Sequence, residues 1–185
     1  MVGMNGEQCQ EQAYHCLLIG DFAGATEWFR RAVEAEPGEP AYLYRASITL
    51  ARSGKTYEAL GYARRAVELA PDDSAFALHL RMLEGRQLSA KAKGCLEQSP
   101  PDAEAALPLL LEAVRLDPLA GEARLLLGEA YRRLGDYRLA LETIKELIHL
   151  QPGNEEARRL LKDIRLERRL LLKQQYSHNN RMKDW

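Results

Sequence analysis

The sequence predicts an all-α chain built from antiparallel helix pairs. Four stretches align along its 185 residues: "GDFAGATEWFRRAVEAEP" ending at Pro37, "GKTYEALGYARRAVELAP" at Pro71, "PDAEAALPLLLEAVRLDP" at Pro118 and "GDYRLALETIKELIHLQP" at Pro152. The closing prolines are spaced by 34, 47 and 34 residues, and a 34-residue period is that of a helix–turn–helix unit. Leucine, alanine, glutamate and arginine dominate and only 7% of residues are aromatic, a composition that favours helix.

The units fall at about 6–39, 40–73, 74–120 and 121–154. Within each, a second helix runs up to the closing proline, which cannot continue the helix before it. Gly20, Gly54 and Gly135 each stand 17 residues before their proline, where a left-handed turn residue costs glycine nothing. Ala25, Ala59, Ala106 and Ala140 stand 12 before. Ala32, Ala66 and Ala113 stand five before, with Leu147 in the fourth slot, and Ala13, Ser47 and Gly128 stand 24 before. Small residues at these spacings let the two helices of a unit approach closely. The aromatic after the turn, Phe22 or Tyr137, covers the junction.

These recurring slots resemble the tetratricopeptide repeat (TPR) family over roughly residues 7–152. The resemblance implies a TPR superhelix, an α-solenoid of right-handed sense made of four helix pairs and a ninth, closing helix. The stretch "SGKTYEAL" over 53–60 contains the glycine, lysine and threonine that end a phosphate-binding loop. A nucleotide-binding P-loop needs a glycine five residues before Gly54, and that position is Thr49. Gly54 is a turn glycine and Lys55 an exposed turn residue.

The third unit departs from the pattern. Its small slot, counted from Ser74, falls on Arg81 and the next apolar slot on Glu84, and Pro101 occupies the turn-glycine slot. Thirteen extra residues (47 − 34) lie near 86–101. They either lengthen the first helix or form a loop; Gly94 with Pro100 and Pro101 favours a loop over 94–101. Pro108 sits inside the second helix and is expected to bend it.

After Pro152, Asn154 is a helix cap followed by Glu155 and Glu156, and Ala157, Leu160, Leu161 and Ile164 form the stripe of a capping helix over 155–173. Leu166, Leu170 and Leu172 exceed that need and mark a second contact surface. The expected organisation is one TPR domain over 1–173 and a loose polar tail over 174–185.

Charge narrows the function classes. Lysine plus arginine number 26 and aspartate plus glutamate 27, so nucleic acid is disfavoured as a partner. The ends differ: the first forty residues hold seven acids and two bases, whereas Arg158 to Lys173 is basic. No stretch of about 18 apolar residues is present, so no membrane span is expected. The opening "MVGMNGEQCQ" has no apolar signal core, from which a cytoplasmic location is expected. Cys9, Cys16 and Cys95 are read as reduced packing residues. His15, His79, His149 and His178 have no metal-ligand spacing, so neither metal nor cofactor is expected, and no catalytic motif is present.

The family resemblance implies that the first helix of each unit lines a concave groove holding a peptide or partner helix. Mapped onto this chain, the groove residues are Tyr14, Tyr44, Arg45, Ile48, Arg52, His79, Met82, Arg86, Leu125, Glu129, Arg132 and Arg133. Arginines alternate with aromatic and apolar side chains, a mixture suited to an acidic or carboxylate-bearing peptide. The carboxylate clamp of one TPR subclass maps to Gln10, Tyr14, Arg45, Ala75 and His79, which does not match that clamp. The expected function is a non-catalytic protein–protein interaction adaptor. The alternatives are a self-assembling module, such as a homodimer through the final helix, and a nucleic-acid binder.

Overall fold

The computed structural model describes residues 4–181, with side chains through Tyr176. Nine helices and no strand lie among the described residues: α1 (Gly6–Leu18), α2 (Phe22–Ala35), α3 (Pro40–Arg52), α4 (Thr56–Leu69), α5 (Ser74–Glu97), α6 (Ala103–Leu116), α7 (Gly121–Arg133), α8 (Tyr137–Leu150) and α9 (Glu155–Arg181). It is an all-α helical repeat solenoid, as the 34-residue period predicts.

The recurring slots have the roles their chemistry requires. Gly20, Gly54 and Gly135 have φ of 79°, 77° and 78°, the left-handed region in which a side chain would be strained. Ala13, Ala25, Ala32, Ser47, Ala59, Ala66, Ala106, Ala113 and Ala140 are all fully buried. At Gly128 an added Cβ would stand 2.4 Å from Ile144 Cδ1, so the α7–α8 contact closes on a missing side chain. The second helices are capped by aspartates where the sequence supplies them. Asp21 accepts from Gly24 N–H at 2.8 Å, Asp102 from Ala105 N–H at 2.8 Å and Asp136 from Leu139 N–H at 3.1 Å. Lys55 holds the same position before α4, exposed and without a side-chain cap.

Packing falls into two compact units, Met1–Gln87 and Leu88–Trp185. In the first, α1 pairs with α2 and α3 with α4. Cys9, Val33, Tyr42, Leu43 and Phe76 form its largest cluster, and Leu83 closes a second one against Leu50, Leu60 and Ala63. In the second, Ala92 and Leu96 pack with Ala103, Ala106 and Leu110, while Leu141, Ile144, Leu147, Ala157 and Ile164 close the far end.

Two expectations are corrected. The loop over 94–101 is helix as far as Glu97, because Gly94 lies on the exposed face of α5 with open space around its Cβ while Ala92 and Leu96 bury themselves beside it. The tail expected from residue 174 continues as α9 to Arg181; residues 182–185 lie outside the described residues. Pro108 lies within α6, which runs through it unbroken from Ala103 to Leu116.

Candidate functional site

The first unit brings together eight of the sequence-derived groove residues. Tyr14 on α1 is exposed and meets Phe29 edge-on, with ring centroids 5.8 Å apart. The guanidinium of Arg45 on α3 lies 5.9 Å from the Tyr14 ring, within cation–π range, and hydrogen-bonds to the Gln10 side chain. Gln10 is neutral, so the contact orients Arg45 without cancelling its charge. Ile48 and Met82 are half-buried, and Arg52 and Arg86 are exposed. None of Arg45, Arg52 and Arg86 has a carboxylate partner among the described residues.

Beside them, Tyr44 packs on Phe76 at 4.7 Å and edge-on to His79 at 5.3 Å. His79 Nε2 lies 2.9 Å from Ser47 Oγ, and that hydroxyl donates to the Ala59 carbonyl at 2.8 Å. With the hydroxyl proton committed to Ala59, His79 donates from Nε2. Burial holds its pKa below the usual histidine value, and the charge of Arg86 lowers it further. Sequence reasoning did not single out Ser47 or Phe76 as partners of this cluster. Phe76 could have been found, because it occupies the same helical position in α5 as Tyr42 does in α3.

The second unit holds Leu125, Glu129, Arg132 and Arg133 in a different state. Arg132 donates from Nε and Nη2 to the two carboxylate oxygens of Glu129, at 2.8 Å each, and from Nη1 to Glu167 at 2.6 Å. Arg133 donates to Glu129 at 2.6 Å and to the Leu96 carbonyl at 2.7 Å. Burial pushes the Glu129 carboxyl up, but the hydrogen bonds from Arg132 and Arg133 outweigh it and hold its pKa below the ordinary value. The bond to Glu129 in turn raises Arg132. These two arginines are spent on an internal network, and Leu125 is half-buried beside a cavity of about 350 Å³ lined also by Leu126, Leu160 and Asp163.

On α9, Leu166, Leu170 and Leu172 are 54%, 50% and 54% exposed. Leu166 and Leu170 are one turn apart and share a face; Leu172 lies on another. Among the described residues no group of three histidine, cysteine, aspartate or glutamate side chains could hold a metal ion. No helix there is long and apolar enough to cross a membrane.

A family model, tetratricopeptide repeat, matches residues 19–74 and 102–155, more than half of the chain. The chain belongs to the tetratricopeptide repeat family. Between its two matches the family model skips 75–101, which is α5 after its first residue and the turn that follows. Among solved structures, MamA 41-end from Desulfovibrio magneticus RS-1 is 20% identical, with a TM-score of 0.56 over 91% of this chain and 88% of that one. The MamA RS-1 ArsTM double mutant gives the same score and identity over 91% and 87%. MamA AMB-1 is 17% identical, with a TM-score of 0.51 over 86% of each chain. Likeness at this identity concerns the TPR fold. No curated protein matches the chain. Membership of the TPR family is consistent with a protein-interaction module.

Proposed function

We propose that the chain is a non-catalytic adaptor that binds an acidic, extended segment of a partner protein on the α1–α3–α5 face of its first unit. One observation carries this: Arg45, Arg52 and Arg86 stand there without carboxylate partners, whereas Arg132 and Arg133 in the second unit are already neutralised by Glu129 and Glu167. Tyr14 supplies rigid apolar area beside the charges. Cationic groups speed encounter with an acidic segment, and the aromatic contacts slow its release.

The test is a peptide-display selection on the whole chain, followed by calorimetry of a selected peptide. Selected peptides are expected to be rich in aspartate and glutamate and to bind more weakly as salt rises. Arg45→Glu with Arg52→Glu is expected to weaken binding at least tenfold with unchanged helicity, because neither side chain belongs to the core. Undiminished binding by that double variant would move the site to the turn near Cys95 or to α9.

The exposed leucines of α9 favour a second reading, self-assembly through the final helix.

A further inference from the structure

Ile164 is the last buried residue of α9 as far as Tyr176; beyond it Glu167 is half-buried and meets Arg132, and Leu171 is 39% exposed. Leu166 and Leu170 form an exposed pair on one face. The neighbouring row of the same helix carries Arg165, Arg169 and Lys173, successive turns apart and without an ion pair among the described residues. Antiparallel pairing of two copies along the Leu166–Leu170 face would set these three cations against themselves, which is unfavourable.

A second apolar patch lies at the α1–α2 turn, at the end of a helix that carries acids and no lysine or arginine. Leu18, Ile19 and Phe22 are 86%, 67% and 43% exposed. Asp21 caps α2 and Glu27 is paired with Arg31, whereas Glu7 and Glu11 of α1 have no ion pair among the described residues. The corresponding turns of the second and fourth units carry Arg52 with Ser53 and Arg133 with Leu134. The paired apolar residues therefore belong to the first turn and not to the repeat.

We infer that α9 of one copy docks on the α1–α2 turn of another, leucine against leucine and basic row against the acids of α1. The inference rests on the reading of α9 as a self-assembly surface and specifies the occupant as the α1–α2 turn of a second copy. Such a contact is heterologous: it runs on from copy to copy, or closes into a ring in which every helix meets a turn.

Sedimentation velocity on the full chain tests this. The average mass of the wild type is expected to climb with concentration above that of the monomer and to fall with added salt. Leu18→Asp and Leu170→Asp, both at exposed positions, are each expected to be monomeric with unchanged circular dichroism. Mixed in equal amounts, they are expected to give a species of twice the monomer mass and nothing larger, because one variant keeps a sound helix and the other a sound turn. A wild type that stays monomeric at millimolar concentration would overturn both the inference and self-assembly itself. Assembly that survives Leu18→Asp would overturn the contact between α9 and the turn and leave self-assembly standing.

Discussion

The backbone N–H of Asp102 donates to the carbonyl of Cys95 at 2.9 Å. In the other three units the same bond closes the turn across five residues: Cys16 to Asp21 at 2.8 Å, Leu50 to Lys55 at 2.9 Å and Tyr131 to Asp136 at 2.9 Å. From Cys95 to Asp102 is seven, so two of the thirteen extra residues sit in the turn. The other eleven are in α5, which has 24 residues where α1, α3 and α7 have 13. Eleven residues make about three helical turns, so Ala92 falls on nearly the same face as Arg81, away from the face of Phe76 and Leu83. α5 can then serve twice. Phe76 and Leu83 close the first unit, as Ala157 and Ile164 close the second from the same positions of α9, and Ala92 and Leu96 begin the second unit.

The fragment Met1–Gln87 is therefore expected to fold alone, with a cooperative urea transition followed by circular dichroism. A fragment ending at Asp73 lacks Phe76 and Leu83, each contributing about 1.5–3 kcal/mol by burial. Its transition is expected at much lower urea. Equal midpoints would mean that α5 does not close the first unit.

Ala140 is fully buried where α8 meets α7. Ala140→Trp is expected to destabilise the chain by about 1–3 kcal/mol or more through overpacking. An unchanged urea midpoint would refute the close α7–α8 contact.

Since burial and Arg86 both hold His79 below its usual pKa, the folded chain keeps it neutral when the unfolded chain has begun to protonate it. Stability from this source is complete above about pH 6.5 and declines as pH falls below that value. His79→Gln is expected to flatten the pH dependence of the urea midpoint between about pH 7.5 and 5.5. Parallel curves for variant and wild type would count against it.

Glu129 receives three hydrogen bonds from two arginines and is only 18% exposed. Glu129→Ala leaves the half-buried Arg132 with Glu167 alone and is expected to cost about 1–3 kcal/mol. The lowered carboxyl pKa means that this stability is present above about pH 4.3 and is lost as pH falls through the folded value. Wild type and variant should therefore converge in acid. A constant gap down to about pH 2 would speak for a packing role instead.

The sequence by itself determined the helix pairs, because small residues, turn glycines and closing prolines recur at one period and each slot answers a local constraint: a left-handed turn, a close helix contact, a helix end. It also marked the closing helices, though the mark is plain only beside the structure. The eighth residue of a helix that packs on its own partner is small, as in Ala13, Ser47 and Gly128, but it is charged in α5 and α9, where Arg81 and Lys162 stand. Of the candidate site, the positions of Tyr14, Arg45 and Arg52 on first helices were legible from the period. Which arginines are free was not. Glu129 lies within one turn of Arg132 and Arg133, but Glu167 and the Leu96 carbonyl reach them from 35 and 37 residues away. Only tertiary structure decides such pairings, because they depend on which helices come to lie side by side. The same holds for the insertion: proline and glycine suggested a loop, and a helix formed because Ala92 and Leu96 had α6 to pack against.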